Sequence, residues 1–192
     1  MKLNEIFYSI QGEGFWAGTP AIFIRFAGCN LKCSFCDTDY VFKFDITPSK
    51  LLKIVSSYKS KHIILTGGEP ALQLDINKKG YSEFIRKLRE AGYYIQIETN
   101  GTIKLPNNID WITVSPKDIE YPKSWIIKKG DELKIINQGQ DIKQYENLDF
   151  KYYYLQPCEI GGNYNFKDTI KKIKENPKWK LSIQIQKLLK IK

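Results

Sequence analysis

Cys29, Cys33 and Cys36 place three thiols in eight residues, spaced C-x3-C-x2-C. Thiolates ligate soft metal centres, and three from one loop can converge on a single centre. A structural zinc site wants four ligands. The remaining cysteine, Cys158, and the single histidine, His62, are both far off in the chain. Three cysteines without a neighbouring fourth ligand suit a [4Fe-4S] cluster with one open iron, which can take a cofactor group and pass it an electron. Zinc completed by Cys158, or three unrelated buried cysteines, are the alternatives. One histidine also excludes a two-histidine zinc helix and a three-histidine site.

Other reactive types sit beside apolar runs. Ile10-Gln11-Gly12-Glu13-Gly14 is a polar, glycine-flanked segment read as a loop before the first strand. Gln11 can donate and accept, and Glu13 accepts. Arg25 interrupts an apolar run and shares a strand face with Ala21 and Phe23 by the period of two. A guanidinium there is costly unless it meets an anion, whether a structural carboxylate or a ligand. Thr66-Gly67-Gly68-Glu69-Pro70 follows another short apolar run; alone it could be a strand-ending turn.

The elements that must position these residues alternate in type. Strands are expected at 21–26, 62–65, 94–97, 111–114, 133–136, 152–155 and 181–185. Helices are expected at 48–57, capped by Thr47 with Pro48 at the first turn, at 81–90 with Gly92 as its stop, and at 166–175. Such alternation predicts an α/β fold with a mostly parallel sheet, in which sites lie at the strand C-terminal ends. About six strands fall short of a full eight-unit barrel, so a single-domain partial, TIM-like barrel over residues 1–192 is expected.

The 30 basic residues exceed the 21 acidic by nine, but only three are arginines and the lysines are dispersed, so no nucleic-acid partner is expected. No signal peptide and no membrane span are expected, which points to the cytoplasm.

C-x3-C-x2-C with Phe35 before its last cysteine, paired with the Gly-Gly-Glu-Pro segment, resembles the radical S-adenosylmethionine superfamily. Within it, the run from Glu5 through Gln11-Gly12-Glu13-Gly14, Gly18 to Arg25 and Cys36-Asp37-Thr38 is similar to the 7-carboxy-7-deazaguanine synthase family. Glu98-Thr99-Asn100-Gly101, Ser115-Pro116-Lys117 and Leu155-Gln156-Pro157 extend the likeness over almost the whole chain. The resemblance implies a radical SAM fold and a lyase of queuosine-type 7-deazapurine biosynthesis. Its substrate would be 6-carboxy-5,6,7,8-tetrahydropterin, its product 7-carboxy-7-deazaguanine, with loss of ammonia. Implied cofactors are a [4Fe-4S] cluster on Cys29, Cys33 and Cys36, S-adenosylmethionine, and Mg²⁺ on Thr38.

Implied pterin contacts are Ile10, Gln11, Gly12, Glu13, Arg25, Thr66 and Gln186, with the chain-terminal carboxylate of Lys192. Implied S-adenosylmethionine contacts are Gly67, Gly68, Glu69, Glu98, Ser115, Pro116, Lys117, Gln156 and Pro157. Gln186 stands where the family has a histidine; it can donate a hydrogen bond but carries no charge. A homodimer and a flavodoxin- or ferredoxin-type electron donor are implied partners. The rival within the superfamily is a small activase generating a glycyl radical on another protein.

Overall fold

A computed structural model describes residues 1–74 and 81–192. A nine-stranded sheet forms the body of the fold. Its strands are β1 (Lys2–Ile10), β2 (Pro20–Phe26), β3 (Phe44–Asp45), β4 (His62–Gly67), β5 (Tyr94–Thr99), β6 (Trp111–Val114), β7 (Lys129–Asn137), β8 (Asp149–Pro157) and, after the small hairpin of β9 (Glu159–Ile160) and β10 (Asn163–Tyr164), β11 (Trp179–Leu181). The order is β11-β8-β7-β6-β5-β4-β2-β1-β3. Pairing is parallel from β11 through β2 and antiparallel for β1 on β2 and β3 on β1. The two ends do not pair, so the barrel is open, as expected.

Helices α1 (Pro48–Val55), α2 (Tyr81–Glu90) and α3 (Phe166–Glu175) cover one face, and α4 (Ile185–Leu189) follows β11. Thr47 caps α1, its side chain accepting from Lys50 N–H, and Gly92 ends α2 at φ +75°. The period of two sorts the side chains. Ile22, Ile24, Phe26, Ile63, Leu65, Ile95 and Ile97 join α1 and α2 in one core, and Leu133, Ile135, Tyr153, Leu155 and Trp179 build a second near α3. The opposite face carries Arg25, Thr66, Glu98, Lys134 and Gln156. Parallel strands usually bury apolar side chains on both faces. A polar inner face therefore marks where a ligand, rather than a core, must sit.

Two expectations at the chain ends are corrected. The Gln11–Gly14 segment does not precede the first strand; it follows β1, which alternates poorly in polarity because it lies at the sheet's antiparallel margin and is only partly buried. The last strand does not run over 181–185. It stops at Leu181, and the chain turns into α4, whose residues are none of them buried.

Candidate active site

The β1–β2 loop builds one wall of the site. Phe15 and Trp16 anchor it among rings at the strand starts: Phe15 lies 4.8 Å from Trp111 and 4.5 Å from Tyr152, and Trp16 5.1 Å from His62. His62 is thereby spent on packing and on Gln96, 3.0 Å away. The loop then reaches to the far edge of the sheet. Gly14 N–H donates to Ser182 Oγ at 3.1 Å, and Ile185 N–H donates to Gly12 carbonyl at 3.1 Å. Gly12 has to be a glycine: a Cβ would stand 1.6 Å from Gln186 Oε1 and 2.9 Å from Gln186 N.

Between this loop and the strands lies a cavity of about 560 Å³. Its deep wall is a polar network. Gln11 Nε2 donates to Glu98 Oε1 at 2.9 Å, Thr66 Oγ1 donates to Glu98 Oε2 at 2.8 Å, and Gln11 Oε1 accepts from Glu13 N–H at 3.1 Å. Glu13 pairs with Lys134 and accepts from Gln184 and Gln186. Arg25 lines the cavity with its Nε 3.0 Å from Glu5 Oε1. Glu5 also holds Lys192 at 2.7 Å, and Ser9 hydroxyl donates to the Lys192 carbonyl. The chain end is thus folded over the cavity beside Arg25.

The opposite end of the cavity is the loop after β2. Cys29, Cys33 and Cys36 all line it, and all are free thiols. Burial is the main force pushing the Cys33 thiol up to about 11. Among the described residues no three histidine, cysteine, aspartate or glutamate side chains gather closely enough for a single metal ion. Three thiols from one loop, with no histidine beside them, fit a cluster with one open iron better than a four-ligand zinc site. Cys158 also lines the cavity, its Sγ 3.6 Å from the Glu159 carbonyl. Next to the cysteines, Thr38 presents its hydroxyl 3.5 Å from Asp37, while Asp37 is committed to Lys187 at 2.5 Å and Gln184 at 3.0 Å.

Between thiols and polar network lie the strand-end segments. Gly68 packs so closely on the Gly28–Cys29 backbone that a Cβ would meet Gly28 O at 2.1 Å. Lys117 donates to Ser115 carbonyl and hydroxyl at 2.7 and 2.6 Å. Burial, followed by the charge of Lys134, pushes its ammonium down to about 8. Gln156 accepts from Ser182 Oγ at 3.0 Å.

Two residues expected at the cofactor do not line the cavity. Glu69 is fully buried; its carboxylate accepts from Ala71 N–H, Asn100 N–H and Thr99 Oγ1, so it ties the β4 and β5 ends together. Pro116 is buried behind its neighbours Ser115 and Lys117. Glu98, expected on the cofactor side, is bonded to Gln11 and Thr66 instead. The remaining expected residues, from Ile10 to Lys192, are gathered around the one cavity. Sequence reasoning missed Lys134. The signal was there: a lone lysine inside an apolar strand, one period from Glu132, as conspicuous as Arg25.

The radical SAM superfamily model matches residues 23–176. A protein from Bacteroides thetaiotaomicron, "7-carboxy-7-deazaguanine synthase", is 48% identical over 191 residues, 100% of this chain and 98% of its own length. A protein of the same name from Haemophilus influenzae is 39% identical, over 99% of this chain and 93% of its own. The crystal structure of QueE from Escherichia coli superposes with a TM-score of 0.74 at 25% identity, covering 95% of this chain and 93% of that one.

Proposed function

The chain belongs to the 7-carboxy-7-deazaguanine synthase family of the radical SAM superfamily, and from that membership we propose that it is a carbon–nitrogen lyase converting 6-carboxy-5,6,7,8-tetrahydropterin to 7-carboxy-7-deazaguanine with release of ammonia. One observation carries the reading: a single cavity has three free thiols at one end and a wall of matched donors and acceptors at the other. The second is what an aminopyrimidinone edge needs. Membership brings a [4Fe-4S] cluster and S-adenosylmethionine. Cys29, Cys33 and Cys36 would hold the cluster. Bound there, cluster and cofactor would supply the one-electron chemistry that generates a hydrogen-abstracting radical.

The chain's own residues bind and orient. The Gly67–Gly68 backbone, Ser115, Lys117, Gln156 and Pro157 would take S-adenosylmethionine. Lys117, buried and poorly solvated, favours a carboxylate partner. Glu69 and Pro116 would act indirectly, by fixing the strand ends that carry these contacts. Ile10, Gln11, Gly12, Glu13, Thr66, Gln186 and, from its position, Glu98 would hold the pterin ring. Arg25 would meet the substrate carboxylate, with Glu5 keeping the guanidinium aligned and Lys192 adding a substrate contact beside it. Thr38 offers the hard oxygen that Mg²⁺ accepts. A homodimer, a flavodoxin- or ferredoxin-type electron donor and a cytoplasmic setting complete the proposal. Among the described residues no helix is long and apolar enough to cross a membrane.

The test is the dithionite-reduced, cluster-reconstituted protein with S-adenosylmethionine, Mg²⁺ and the carboxytetrahydropterin. The expected result is 7-carboxy-7-deazaguanine and ammonia. An intact cluster with no deazaguanine overturns the assignment. Arg25→Ala should weaken binding of the carboxylated pterin far more than of the decarboxylated one, with an unchanged cluster spectrum; a bleached cluster would make Arg25 structural.

A further inference from the structure

Lys134 is the cation of the inner sheet face that no part of the reading above uses. It projects from the middle of β7, on the same face as Glu132 and Ile136, and is 7% exposed. Its amine is bonded to Glu13 Oε2. The other oxygen, Oε1, accepts from Gln184 Nε2 at 2.9 Å and Gln186 Nε2 at 3.2 Å. Glu13 is thus gripped from three directions, by β7 and by two side chains of the segment after β11. A buried ammonium costs several kcal/mol of desolvation unless it is well paired. Most simple ways of stabilising this fold would place an apolar side chain here, as Leu133 and Ile135 do on the other face.

We propose that Lys134 is a positioning residue for substrate recognition: through Glu13 it presents the cavity with an acceptor-only carboxylate, and so selects ligand edges that carry N–H donors. This rests on the reading that Glu13 contacts the pterin. Burial by itself would push the Glu13 carboxyl up, but the charge and hydrogen bond of Lys134, with the hydrogen bonds of Gln184 and Gln186, outweigh it and hold the group below the usual range. Without the lysine, burial and the nearby Glu132 carboxylate would push the Glu13 carboxyl up, with only Gln184 and Gln186 left to oppose them. Lys117 is the remaining charged side chain close by, and it acts on Lys134 by repulsion. A carboxylic acid can donate as well as accept, so it no longer discriminates an amino group from an oxo group.

The test measures equilibrium binding by quenching of pterin fluorescence in the reconstituted protein with S-adenosylmethionine. The probes are 6-carboxypterin and 6-carboxylumazine, in which oxo replaces the exocyclic amine. The wild type should prefer the pterin by about 10- to 100-fold, the range of one hydrogen bond to a charged group. Lys134→Met should lose most of that preference and Lys134→Arg should keep it. Glu13→Gln should also lose it, and Lys134→Met in that background should cost little more, since both act through one contact. Should Lys134→Met fold poorly, the arginine and Glu13→Gln arms still decide. An unchanged preference in Lys134→Met, equal losses for both probes, or additive effects with Glu13→Gln overturn the role of Lys134. A wild type that binds neither probe overturns the pterin reading itself, and this inference with it.

Discussion

Gly12→Ala is the sharpest test of how the site is closed. The added methyl would stand 1.6 Å from Gln186 Oε1, 2.6 Å from its amide carbon and 2.9 Å from its backbone nitrogen. The side chain can swing away, which forfeits at least the Gln186 bond to Glu13, about 1.5–3 kcal/mol for a bond to a charged group. The backbone contact cannot be relieved that way. Lifting the segment off loses the Ile185–Gly12 bond and the Gln184 and Gln186 bonds to Glu13 together. At the same rates that costs roughly 3–7 kcal/mol. What remains is exposed: Lys187 on Asp37 and Tyr164, Gln184 on Asp37, Lys192 on Glu5 and the Ser9 hydroxyl on the Lys192 backbone, with the lysines 38% and 69% exposed. Exposed pairs of this kind contribute about 0–1 kcal/mol each and cannot hold the segment alone. The chain from about Gln184 onward should therefore undock. Because α4 buries no residue and the freed segment regains conformational entropy that offsets most of this loss, the core should barely notice, with Tm falling by only a few degrees. Hydrogen exchange followed by mass spectrometry should show fast exchange after Ser182, with β2, β4 and β5 protected as in the wild type. Substrate KM should rise at least tenfold. Wild-type protection of this segment in Gly12→Ala would refute the close-approach argument; a collapse of the whole fold would show that the segment is part of the core.

Two further outcomes follow from buried groups. Burial pushes the Glu132 carboxyl from 4.5 up to about 7, so the folded chain keeps its proton longer than the unfolded chain. Its contribution to stability is then lost as pH rises from about 4.5 to about 7 and stays lost above that. Glu132→Gln keeps an oxygen for the Phe15 N–H and should raise Tm at pH 8 by about a few degrees, with the gain shrinking toward pH 5; a pH-independent shift would count against it. Among the cysteines, Cys36→Ser should abolish the brown colour and iron uptake on anaerobic reconstitution, whereas Cys158→Ser should retain both. Iron loss in Cys158→Ser would bring the fourth cysteine into the centre after all.

What the sequence revealed and what it hid divide along a physical line. Local signals were legible. The cap Thr47-Pro48, the stop at Gly92 and the alternation of apolar runs each depend on a few neighbouring residues, and α2, α3 and β6 lie where those runs place them. The thiol spacing was legible because one loop carries all three. Strand β1 was hidden because a strand of mixed burial near the sheet margin lacks a clean period of two. The turn from β11 into α4 was hidden because tertiary bonds decide it: Ser182 to Gln156, and Ile185 to Gly12 across the sheet opening.

Glu69 and Lys134 teach the converse lesson about function. Glu69 sits in the most recognisable motif of the chain, yet it faces away from the cavity and spends its carboxylate on three donors of the protein itself. Lys134 sits in no motif, yet it holds the carboxylate that lines the cavity. Motif membership reports that a position is constrained without saying by what. A charge inside an apolar strand carries a stricter implication, since desolvation must be offset by a partner on the same face. Applied to Arg25 the rule leads to Glu5, and applied to Lys134 it leads to Glu13. Both pairs line the same cavity, one from β1 and β2 and the other from β7 and the β1–β2 loop. The charged residues of this inner face therefore work in pairs, each ion fixing its partner beside the cavity.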